Sequence, residues 1–146
     1  MTNKSFTIQQ VTWEQKQSHL SNIREQVFIQ EQHVPPELEW DENDQNCIHL
    51  LAVDSDDKPI GTARMLSDGH IGRMAVLPGW RNQGVGSAML KLLVHIASEN
   101  RLDNVFLFAQ TTAIEFYRKH QFNITSKEFM DAGILHRQMD YNFSAK

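Results

Sequence analysis

Arg73-Met74-Ala75-Val76-Leu77-Pro78-Gly79-Trp80-Arg81-Asn82-Gln83-Gly84-Val85-Gly86-Ser87-Ala88 is the stretch on which the reading of the fold turns. A strand running to Leu77 meets Pro78-Gly79, a pair that stops it. From Val85 onward, Met89, Leu92, Leu93 and Ile96 recur at helical spacing. Between strand and helix lies a turn holding Arg81, Gly84 and Gly86. The first turn of any helix leaves backbone N–H groups without intrahelical partners. Together with the positive end of the helix dipole, they attract phosphate oxygens. Gly84 and Gly86 lack a Cβ, which lets an anion approach the main chain, and Arg81 adds a charged fork. A bare Gly-x-Gly before a helix is more often an ordinary turn, so its surroundings must decide. There is no Gly-Lys-Ser/Thr of a P-loop and no Gly-x-Gly-x-x-Gly of a dinucleotide site.

On the N-terminal side, Phe6 to Val11 alternate as a short strand, and Thr12 with Gln15 resembles a capping box. Leu20, Ile23, Val27 and Phe28 share one stripe and carry the helix to about Gln32, where Pro35-Pro36 ends it. Residues 37–46 hold Glu37, Glu39, Asp41, Glu42 and Asp44 around Trp40, which reads as an acidic loop with a short helical turn. Ile48 to Val53, Ile60 to Leu66 and His70 to Leu77 are strands joined by tight turns, an antiparallel meander. On the C-terminal side, Val105 to Phe108 is all apolar and predicts a strand buried on both faces. Ala113, Phe116, Tyr117 and His120 share one face of a shorter helix, and strands over Phe122 to Thr125 and Ile134 to Phe143 close the chain. The order is β-α-βββ-α-β-α-ββ.

The chain has 146 residues, 40% hydrophobic and 22% charged, which suits a single domain over its whole length. A formal charge of −4 argues against nucleic acid as a partner, since a polyanion requires a basic face. No apolar run approaches the ~20 residues that span a bilayer, and no secretory leader is visible, so neither a membrane nor export is expected. The single cysteine, Cys47, excludes an internal disulfide and fits a reducing cytoplasm. Cys47 reads as a small buried hydrophobe, not an acyl-carrying nucleophile. The histidines show no zinc-ligand spacing, so no metal is expected.

Arg81-Asn82-Gln83-Gly84-Val85-Gly86 matches the Arg/Gln-x-x-Gly-x-Gly/Ala motif of the GNAT superfamily of N-acetyltransferases, together with the strand ending Met74-Ala75-Val76 and the helix that follows. Val27 to Gln32, Phe108-Ala109-Gln110-Thr111 and Ala132 to His136 resemble the ElaA-like branch of that superfamily, and the resemblance covers essentially the whole chain. It implies an α/β (α+β) fold of GNAT type, with a mixed, mostly antiparallel sheet flanked by helices and splayed between the strands near 70–77 and 105–108. It implies acetyl-CoA as co-substrate, the pantetheine pairing with Met74, Ala75 and Val76. The pyrophosphate would lie on the turn Arg81, Asn82, Gln83, Gly84, Val85, Gly86 and Ser87, with Gln110 beside the cofactor. It also allows a homodimer, as relatives commonly form.

A thioester is already activated, so an amine can attack it directly in a ternary complex. The step needs a neutral amine, a stabilised oxyanion and a proton for the departing thiolate. By resemblance the Val76 N–H is the oxyanion donor and Tyr117 the acid; the sequence pattern alone would let Tyr117 simply pack. Gln121 stands where relatives often have glycine, and would be strained by a positive φ. For the base, Glu31 and His136 rank first because they lie in segments resembling the branch, ahead of Glu37, Glu39, Asp41 and His49. The acidic loop would favour a cationic acceptor, a small molecule or a peptide amine; its bland reading is a solvated charged run. Arg73 is open between core, cofactor and solvent. The competing class is a non-catalytic acyl-CoA-binding or sensing domain; a third reading makes the glycine turn purely structural.

Overall fold

Thr12 opens the first helix as its spacing to Gln15 predicts. Its hydroxyl accepts the Gln15 N–H at 3.2 Å, and α1 runs over Trp13–Arg24. The computed structural model describes residues 5–143. The strand before α1 is β1, Phe6–Val11. After Arg24 the coil widens into a π-helical segment, Glu25–Glu31, which carries the same apolar stripe forward to Val27 and Phe28. A four-residue helix α2, Pro36–Glu39, and a 3-10 turn over Glu42–Asn46 take the place of the expected loop.

The meander follows as β2 (Ile48–Asp54), β3 (Pro59–Met65) and β4 (His70–Val76). The long helix α3 spans Val85–Glu99, β5 spans Asn104–Gln110, and the short helix α4 spans Ile114–Arg118. The closing strands are β6 (Asn123–Ile124), β7 (Phe129–Asp131) and β8 (Ile134–Asn142). β7 was not foreseen: its three residues fold back on β8 through the Ala132-Gly133 turn, too short to show a periodic pattern. All strands join one eight-stranded sheet in the order β1-β2-β3-β4-β5-β8-β6, with β7 paired to β8, and only β4 and β5 run parallel.

Two apolar layers sandwich the first half of the sheet. On one face α3 buries Val85, Met89, Leu90, Leu93, Ile96 and Ala97 against Leu50, Ala63, Ile71 and Leu107. On the other, Leu20, Ile23 and Val27 pack on Leu51, Val53 and Ala75. Each such side chain contributes about 1.5–3 kcal/mol when removed from water. Beyond β4 the second layer stops. In β5, Val105, Leu107 and Ala109 are buried under α3, while Phe108 on the opposite face is 39% exposed. The expected two-sided burial of this strand is therefore corrected: α1 packs mainly on β2, β3 and β4, and an open face remains at β5.

Candidate active site

The site begins with a defect in the ladder. Thr62 pairs with Ala75 and Arg64 with Gly72, so the register shifts between them, and Arg73 takes φ +50° inside the resulting bulge. On its other edge β4 meets β5 only at His70↔Phe106 and Ile71↔Leu107, and the strands part beyond that point. Leu77 donates its N–H to the Ile60 carbonyl, which makes Gly61 and Val76 a non-hydrogen-bonded pair. The backbone N–H and C=O of Val76 therefore face the gap between β4 and β5. Ala75, one residue earlier, turns its backbone to β3 and its side chain under α1, so the expectation that it binds cofactor is corrected.

The gap leads at its lower end to the glycine turn. Asn82 at φ +63° and Gly84 at φ +88° are left-handed on either side of Gln83, an alternation that turns successive N–H groups into one concavity. A Cβ on Gly84 would meet nothing within 4 Å, so the space above it is open to a ligand, and its φ explains the glycine. At Gly86 a Cβ would lie 3.5 Å from the Phe116 ring, an ordinary van der Waals distance, so packing alone does not demand glycine there. Val85 is buried in the core and offers the turn only its backbone. The Ser87 hydroxyl lies 3.0 Å from His120 Nε2.

Arg81 departs from the sequence expectation. Its Nε donates to the Val76 carbonyl at 2.9 Å, and its two terminal nitrogens donate to Glu31 at 2.6 and 2.7 Å. The fork is thus engaged within the protein. Glu31 is corrected as well. It lies outside the cleft described next, and the Arg81 guanidinium holds its carboxyl below the usual range, which makes it a poor proton acceptor.

Above the gap lies a cleft of about 530 Å³. Met74, Gln110, Tyr117 and His136 all line it. Tyr117 packs edge-on against Phe116, and its hydroxyl makes no hydrogen bond among the described residues; burial pushes its phenol up to about 12. His136 is buried, stacks on Phe129, and holds Nδ1 2.6 Å from the Ile134 carbonyl. A carbonyl only accepts, so Nδ1 carries the proton and the neutral ring keeps its lone pair on Nε2. Gln110 donates to the Gln32 side chain at 2.9 Å, tying the end of β5 to the end of the π-helical segment.

The acidic loop is not a solvated run. Arg24 is 1% exposed, lies against the rings of Trp13 and Trp40, and donates to Glu39 at 2.7 Å and Asp44 at 2.8 Å. Arg64 grips Asp41 with two bonds and Asp44 with one. Arg73 donates to the Glu39 carbonyl and reaches Asp41. Burial raises the Glu39 carboxyl, whereas the hydrogen-bonded Arg64 lowers Asp41 to about 2. Three arginines answer Glu39, Asp41 and Asp44, while Glu37 and Glu42 of the same run stay exposed. The arginines come from α1, β3 and β4, and nothing near the loop in sequence announces them. Asp44, Cys47 and His49 bring ligand atoms within 4.8 Å of one another. Yet Arg24 and Arg64 occupy the Asp44 carboxylate, His49 Nε2 lies 2.7 Å from the Asp44 carbonyl, and burial pushes the half-buried Cys47 thiol up to about 11. The trio fits the ion-pair network better than a metal, and the thiol is a poor nucleophile.

The profile of the GNAT acetyltransferase domain matches residues 4–143. The chain belongs to the GNAT family. It is 41% identical over 121 residues to the uncharacterized N-acetyltransferase YjcF of Bacillus subtilis, a match covering 80% of this chain and 86% of that one. A second Bacillus subtilis protein, YyaT, is 36% identical over 145 residues, 95% of this chain and 97% of its own. Among solved structures, an acyl-CoA N-acyltransferase from Pseudomonas aeruginosa superposes with a TM-score of 0.80 at 25% identity, covering 94% of this chain and 99% of its own. Escherichia coli ElaA has the same fold, with a TM-score of 0.81 at 24% identity over 92% of this chain and 98% of its own. Membership of the GNAT family makes acyl-CoA the co-substrate class and acyl transfer the general reaction. Among the described residues no helix is long and apolar enough to cross a membrane.

Proposed function

We propose that this GNAT protein moves an acetyl group from acetyl-CoA to an amine by direct attack in a ternary complex. The observation that carries the reading is the Val76 N–H, unpaired among the described residues and facing a gap that opens on the cleft of Tyr117 and His136. The pantetheine amides pair with the edge of β4 at Met74, next to Val76, whose carbonyl already accepts from Arg81. The pyrophosphate rests on N–H groups of Asn82, Gln83, Gly84, Val85, Gly86 and Ser87. The thioester then meets the acceptor beneath His136. The amine nitrogen attacks the carbonyl carbon while His136 Nε2 takes its proton, and the Val76 N–H steadies the oxyanion. The C–S bond breaks as the C–N bond is kept, and Tyr117 gives the departing sulfur a proton. A phenol raised to about 12 keeps that proton at every working pH.

The half-buried, unpaired Cys47 supports a reducing, cytoplasmic setting. Calorimetry with acetyl-CoA, followed by thiol release in the presence of an amine panel, tests the proposal. Binding with turnover is the expected result. Binding with no turnover on any amine would leave a sensing domain, and no heat at all would leave the turn a structural device.

A further inference from the structure

The acceptor end of the cleft carries a pattern of charge and apolar surface that the ion-pair network leaves over. Arg73 is 25% exposed and lines the cleft. Its Nε and Nη2 are directed at Glu39, Leu38 and Asp41, but Nη1 donates to nothing among the described residues. Burial lowers its pKa against the opposing pull of the Glu39 and Asp41 carboxylates. Asp131 also lines the cleft, and its carboxylate has no ion-pair partner among the described residues. Asp131 pairs with Ile134 at the turn that precedes His136. The cleft therefore has one unpartnered guanidinium nitrogen, Nη1 of Arg73, beside the paired Glu39 and Asp41, and a carboxylate, Asp131, on the turn before His136.

Other parts of the cleft surface are apolar. Phe108 and Leu38 are exposed by 39% and 55%, and both line the cleft. Phe108 is held in place by His70 at 4.6 Å and by the edge-on ring of Phe129 at 5.3 Å. Large exposed apolar side chains inside a concave site mark where a ligand is gripped.

Resting on the acetyl-transfer reading above, we infer that the acceptor is an apolar amino carboxylate, such as an amino acid or dipeptide. Its carboxylate binds Arg73 Nη1, its side chain lies on Phe108 and Leu38, and its ammonium is drawn by Asp131 to His136. His136 removes the proton, the nitrogen takes the acetyl group, and the thiol leaves as above. A polyamine or a lysine side chain would bring only cations and offer nothing to Arg73 Nη1.

The test compares thiol release from acetyl-CoA with L-phenylalanine, L-leucine, the dipeptide Gly-Phe, phenethylamine, spermidine and a lysine-containing peptide. We expect one of the three amino carboxylates to exceed phenethylamine and spermidine in kcat/KM by on the order of tenfold or more. In Arg73→Gln the preference over phenethylamine should collapse. Because Arg73 sits in a strained bulge, Phe108→Ala provides a second variant on the open face. It should raise KM for the preferred acceptor more than KM for acetyl-CoA. Phenethylamine, spermidine or the peptide leading the panel would overturn the inference. So would a preference that survives Arg73→Gln, or acetyl-CoA binding with none of the amino carboxylates consumed. A protein that fails to bind acetyl-CoA would instead overturn the transferase reading underneath.

Discussion

Arg81 and Glu31, fifty residues apart in sequence, form a two-pronged ion pair that joins the π-helical segment to the glycine turn. The pair is partly exposed, and such pairs contribute only ~0–1 kcal/mol. Its carboxylate occupies the two terminal nitrogens of Arg81, which an incoming phosphate could otherwise use. Glu31→Gln should therefore tighten CoA binding several-fold in calorimetry, with turnover largely retained. A fall in turnover of about a hundredfold at unchanged affinity would return Glu31 to the role of base.

Tyr117→Phe should lower turnover by on the order of 10²-fold and leave CoA affinity unchanged. The phenol, raised to about 12 by burial, loses its proton only above that value. The rate profile of the parent protein should thus show no alkaline fall belonging to Tyr117 below about pH 11. Equal turnover in the two proteins would make the side chain a packing residue.

His136 can be separated from its packing role by rescue. His136→Ala should lose about 10²-fold or more in turnover, and added imidazole should restore part of it by entering the space beside Phe129. Loss without rescue, accompanied by a lowered Tm, would point to the Ile134 hydrogen bond and the Phe129 stack instead.

The buried ions predict an acid-sensitive stability. Asp41 is held at about 2, below its ordinary 3.8, so its contribution is full above 3.8 and is lost as pH falls toward 2. Glu39 is raised and acts with the opposite sign, its charged form being the disfavoured one. Melting curves should show Tm dropping across the Asp41 window, and Asp41→Asn should flatten that drop. Arg24→Leu leaves Glu39 and Asp44 without their shared cation and should cost about 3–5 kcal/mol in denaturant unfolding.

Gln121 adopts φ +67°, a left-handed conformation that favours glycine. Gln121→Gly should stabilise the protein by about 1 kcal/mol. A lowered Tm would mean that the Gln121 side chain supplies more than its backbone strain removes.

The glycine turn, the α1 stripe and the meander were legible because each is a local pattern of a few residues. Periodicity places Leu20, Ile23 and Val27 on one face, and the structure buries them together. The partners of Glu39, Asp41 and Asp44 were not legible, because Arg24, Arg64 and Arg73 reach them from three separate elements. The open face at Phe108 was hidden for a related reason. An apolar strand reads alike whether a helix covers one of its faces or both, and how far α1 extends over the sheet is decided by the whole chain. A signal was present in the alternation of Phe106 and Phe108 with Val105, Leu107 and Ala109, where the bulky rings share the uncovered side.

The parting of β4 from β5 has a consequence beyond the site. Beyond Ile71 the two strands share no pairing, so the sheet carries unpaired backbone along its own middle and not only at its rim, where exposed strand edges are usually met. A polyamide arm laid there would act as a guest strand, and the proposed co-substrate would then complete the sheet as well as react in it.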